Sequence, residues 1–84
     1  MEWRVPLADV KLGIEEENAV LEVLRSGWLT MGAVTQAFEQ EFAAFTNAKH
    51  AISVNNATAA LHLACMALGL GPGDEVILPS LTFV

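Results

Sequence analysis

The run His50–Ala64, HAISVNNATAALHLA, constrains this chain more than any other stretch. Ala51 to Val54 is short, apolar and bounded by polar residues, the pattern of a buried strand. Two asparagines follow, and Ala57-Thr58-Ala59-Ala60 opens a helix at once. A strand feeding a helix through small residues aims free backbone N–H groups at one point. The first four amides of a helix lack intrahelical acceptors, and the macrodipole adds positive potential, so that point favours an anion. The competing reading is local: Asn56 N-caps the helix and Thr58 shields its first amides.

The flanking pattern sets the fold expectation. Glu75 to Pro79 reads as a second strand, after a Gly71-Pro72-Gly73-Asp74 turn. Strand, helix (Ala57 to Leu68, ended by Gly69), strand is a βαβ unit, which implies a parallel sheet. Such a sheet needs cover on both faces and more than two strands. Two helices precede it. Ile14 to Ser26 has Glu15, Glu16 and Glu17 in its first turn, Arg25 in its last, and Gly27 as a left-handed stop. Ala33 to Phe45 carries Val34, Phe38, Phe42 and Phe45 at helical spacing, a stripe expected in a core. Residues 1–13 read as extended, punctuated by Pro6 and Gly13. The fold class expected is therefore α/β, with residues 1–84 forming the N-terminal part of a larger domain that ends on an uncapped apolar segment.

Composition narrows the function classes. A net charge of −6 with four basic residues cannot supply the clustered Lys and Arg that a nucleic-acid backbone requires. The acidic triplet reads as a solvated helix start rather than a metal site, and no metal is expected. Cys65 excludes an internal disulfide and is expected to pack inside its helix. The N-terminus lacks a basic head followed by an apolar stretch, and the longest apolar run, broken by Thr58 and His62, is too short to span a bilayer. A soluble cytoplasmic protein is the expectation, with no membrane or nucleic-acid partner.

The phosphate turn itself discriminates among ligands. Neither G-x-G-x-x-G nor G-x-x-x-x-G-K-[ST] is present. Small residues and one hydroxyl at Asn55-Asn56-Ala57-Thr58 suit a single terminal phosphate ester better than a pyrophosphate.

Three segments in this order and spacing, SGWLTMG, HAISVNNATAALHLA and GLGPGDEVILPSLTFV, resemble the start of the DegT/DnrJ/StrS aminotransferases. The resemblance covers nearly the whole chain from Val5. It implies a fold-type-I enzyme that uses pyridoxal 5′-phosphate to aminate keto groups on nucleotide-linked sugars. It implies that Asn56, Ala57, Thr58 and Ala59 hold the cofactor phosphate, and that Phe83, closing Ser80-Leu81-Thr82-Phe83, stacks on the pyridine ring. Many members have Gly at the position of Ala57, and a methyl fits there only if the backbone is helical. Gly27 to Gly32 matches a segment near the sugar pocket, which makes Trp28 and Thr30 candidates for substrate contact; Trp28 as packing at a helix–helix turn is the alternative. His62 reads as an ordinary helix histidine.

The same resemblance puts the Schiff-base lysine and the carboxylate facing the pyridinium nitrogen beyond Val84. Lys11 and Lys49 match neither position, so no catalytic residue is expected within the chain. The activity implied is transfer of an amino group from an amino-acid donor, glutamate being the usual one, to a nucleotide-linked ketosugar, in a cytoplasmic homodimer. Rivals are a dehydratase of the same family with His at the lysine position, a truncated non-catalytic product, and a generic phosphate-binding α/β domain.

Overall fold

The computed structural model describes residues 8–83. Its regular elements are three helices: α1 (Ile14–Ser26), α2 (Ala33–Thr46) and α3 (Ala57–Ala67). They lie in two units, Met1–His50 with α1 and α2, and Ala51–Val84 with α3.

Each helix begins and ends where local chemistry says it should. At the start of α1, Glu16 Oε2 accepts from the Gly13 amide at 2.7 Å, an acidic residue satisfying an orphan donor. Gly27 then closes it at φ 71°, donating from its amide to the Leu24 carbonyl. Asn47 plays the same part for α2 at φ 54°, and Ala48 donates back to Ala43 at 2.9 Å, the paired bonds of a Schellman end. Beyond α3, Gly69 at φ 70° and the Leu70 to Cys65 bond at 3.1 Å repeat that motif. The Gly71–Asp74 turn forms as well, with Asp74 N donating to the Gly71 carbonyl and Asp74 Oδ2 accepting from Gly71 N.

The expected α/β fold is not what the chain adopts. Among the described residues there is no strand and no sheet, and the βαβ unit is absent. Residues 51–54 and 75–79 have the composition of buried strands but make no ladder. The reason is that strand-forming residues encode a preference for a half-buried pleated surface, not a partner, and a strand exists only through hydrogen bonds to another. The reading of residues 1–13 as extended falls partly outside the described residues.

Burial corrects two further expectations. The Phe stripe of α2 is not in a core: Phe38 and Phe42 meet each other at 5.8 Å between ring centroids, one turn apart, while Phe45 is 88% exposed. Cys65 is exposed, and α3 has no buried residue although it is apolar on most sides. Among the described residues only Ala43 is buried. Both observations follow from the missing sheet, since parallel strands supply the surface on which such helices pack. No described helix is long and apolar enough to cross a membrane.

Candidate functional site

The α3 start is built from the backbone outward. Asn56, with extended backbone at φ −161° and ψ 163°, is its N-cap, and Asn56 Oδ1 accepts from the Ala59 amide at 2.7 Å. The other end of the carboxamide donates to Asn55 Oδ1 at 3.0 Å. The capping reading of Asn56 is thus realised, and it occupies one of the amides that an anion could otherwise use. The Ala60 amide bonds the Asn56 carbonyl at 3.3 Å, the first rung of the helix. The amides of Ala57 and Thr58 come earlier, where a helix offers no acceptor. They and the Thr58 hydroxyl are the donors left at the positive end of the dipole.

Ala57 is the first helical residue, and Asn47 alone among the described non-glycine residues has positive φ. The condition on its methyl is therefore met: the backbone there is right-handed, and alanine costs nothing relative to glycine. A terminal phosphate fits these residues, since small side chains leave the two amides open to an oxygen. Phe83 is a different matter. It is 89% exposed and makes no ring contact among the described residues, so the structure does not bring an aromatic wall to this turn.

In the other unit, Trp28 and Thr30 come together. They line a cleft of about 450 Å³ with Ser26, Gly32, Ala33, Val34 and Thr35, at the join between α1 and α2. The lining is mainly apolar, with Ser26, Thr30 and Thr35 the hydroxyl-bearing residues among it. Ser26 is partly committed: its hydroxyl donates to the Val23 carbonyl at 2.6 Å and accepts from the Trp28 amide at 3.2 Å. Trp28 Nε1 donates to the Met31 carbonyl at 3.1 Å, which folds the indole back over its own turn. Sequence reasoning did not find Ser26, Thr35 or the Met31 carbonyl, because their roles come from the way the turn folds. The only signal was the W-x-x-x-G spacing.

Lys11, Lys49 and His62 lie outside the residues that line the cleft and those that cap α3. No solved structure matches the chain. A family model described as the DegT/DnrJ/EryC1/StrS aminotransferase family matches residues 10–84, which takes in both the cleft and the α3 turn, and the chain belongs to that family.

Proposed function

We propose that this chain contributes the phosphate anchor and part of the acceptor cleft of a pyridoxal 5′-phosphate-dependent aminotransferase. Its substrates are an amino-acid donor, glutamate by preference, and a nucleotide-linked ketosugar, and it works as a cytoplasmic homodimer. The observation that carries the reading is the α3 start: two amides and a hydroxyl without intrahelical partners, at a helix end where alanine is unstrained. Membership of an aminotransferase family supports reading that phosphate as the cofactor's.

The cofactor, when bound, supplies an electron sink and carries the amino group between the two substrates. The chain's own residues hold and orient. Ala57 and Thr58 donate their amides to the phosphate dianion, and the Thr58 hydroxyl adds a third, charge-assisted bond. Anchoring one end leaves the reacting end free to meet a substrate in a fixed pose. At the cleft, the Trp28 face suits the C–H surface of a sugar ring, with Thr30 and Thr35 presenting hydroxyls to its rim. Phe83 remains the candidate for the ring's stacking partner.

The test is cofactor titration followed by turnover. Thr58→Val should raise the cofactor Kd by about tenfold or more, the loss of one hydrogen bond to a charged group, while Thr58→Ser keeps it. Equal affinity for the Val variant would remove the phosphate role from this turn. Turnover is read as amino-sugar formation from glutamate and a nucleotide-linked ketosugar, and a purified, cofactor-loaded protein that forms none would end the substrate assignment.

A further inference from the structure

Gly32 stands at the N-cap of α2 with φ −167°, extended backbone that any residue adopts. Its lack of a side chain is therefore not a backbone requirement. What it provides is space. A Cβ built on Gly32 would lie 2.5 Å from Trp28 Nε1 and 2.8 Å from Trp28 Cδ1, well inside contact distance. The indole edge occupies the volume that any side chain at position 32 would fill.

Two further restraints act on the same residue. The Trp28 amide is held by Ser26 Oγ, itself fixed to the last turn of α1 through the Val23 carbonyl. The indole N–H is held by the Met31 carbonyl, next in the chain to Gly32. The residue is thus tied at its backbone and at its ring edge. Trp28 nevertheless stays 64% exposed, so the ring keeps open surface while it lines the cleft. A side chain tied down at one edge and open elsewhere has lost its rotamer freedom before any ligand arrives, which lowers the ordering cost of binding.

We propose that Gly32 is the positioning residue for Trp28: the vacancy at position 32, closed by the Met31 carbonyl, is the seat that fixes the indole as a wall of the cleft. The seat belongs to this segment alone, while its bearing on acceptor binding rests on the acceptor-cleft reading above. Alanine at position 32 pushes the Nε1 edge off the Met31 carbonyl and lets the ring swing.

The experiment uses the intact protein with Trp3, and any tryptophan outside these 84 residues, replaced by phenylalanine, so that Trp28 is the only indole. Gly32→Ala should speed exchange of the indole N–H and increase acrylamide quenching of Trp28 fluorescence. It should also raise acceptor KM by about tenfold with kcat and cofactor Kd retained, the size expected for one aromatic contact. Unchanged exchange and quenching overturn the proposal. A changed indole signature with unchanged acceptor KM keeps the seat and defeats the acceptor-cleft reading instead. The second arm is a double-mutant cycle. In a Trp28→Ala background there is no indole to displace, so Gly32→Ala should add nothing to KM or Tm. If Gly32→Ala alone fails to fold, the double variant should fold; a penalty that persists without the indole overturns the proposal.

Discussion

Asn56 sits where two demands on one turn meet. Its carboxamide caps α3 through the Ala59 amide, and the same helix end is the proposed seat of a phosphate. The two roles respond differently to charge. Asn56→Asp keeps the cap and adds a negative charge favourable to the dipole, so helix stability should hold or rise slightly. A phosphate dianion beside that carboxylate is repelled, and cofactor Kd should increase severalfold. Asn56→Ala removes the cap at a cost of about 1 kcal/mol. Measuring Tm and Kd on both variants separates the roles: if Asp leaves Kd unmoved, the anion does not sit at this turn. Glu16 gives a pH prediction at the same scale. The Gly13 amide, and then its own, hold its carboxyl below the usual range. A depressed folded pKa means the carboxylate's help to α1 is complete above the ordinary glutamate range and is lost as pH falls through the lower, folded value. The Gly13 amide resonance should move in that acidic window, and Glu16→Gln should abolish the movement.

Among the elements, the helices were readable in the residues and the sheet was not, and the difference is one of range. The Ile14–Ser26 helix, its acidic start and its Gly27 stop were all anticipated, because caps and dipole complements act within one turn. Ala57 as a helix start follows for the same reason, through the Asn56 cap, whereas Ala33 follows from the helical spacing of the apolar residues after it. Asn47 was missed: asparagine reaches the left-handed region less readily than glycine, and a T-N-A sequence announces nothing. It yields a sharp prediction. Asn47→Ala should destabilise α2 by about 1 kcal/mol, and Asn47→Gly should be tolerated or slightly better, read by thermal denaturation. Strand-like segments failed because a ladder needs a partner that no local pattern names. The site divides the same way. The open amides at Ala57 and Thr58 were foreseeable from the helix start, whereas the Trp28 seat at Gly32 depends on how a five-residue turn closes.

At the scale of the molecule the governing fact is that the described residues enclose almost no apolar volume. In the Met1–His50 unit Ala43 is the one buried residue among those described, and in the Ala51–Val84 unit none is. Meanwhile Ile77 is 101% exposed and Leu81 91%, and α1 and α2 make no packing contact with each other. Full burial of one such side chain contributes about 1.5–3 kcal/mol, and ordering a residue's backbone costs about 1–2 kcal/mol. Without burial the second term goes unopposed, and helices of 11 to 14 residues are marginal alone. The 84-residue chain studied by itself should therefore show partial helical circular dichroism that fades gradually with heat, without a cooperative transition, and should bind an apolar dye such as ANS. Denaturant should give a shallow slope, since little surface remains to be exposed on unfolding. A sharp, two-state melt with no dye binding would mean that the chain covers its own apolar residues, and that Phe45, Ile77 and Leu81 pack in solution. The prediction has a second edge. Residues that gain burial on association lower the free energy only in the associated form, so any melting transition should rise with protein concentration. Sedimentation and the helical signal on heating, measured across the same concentration range, check both statements together.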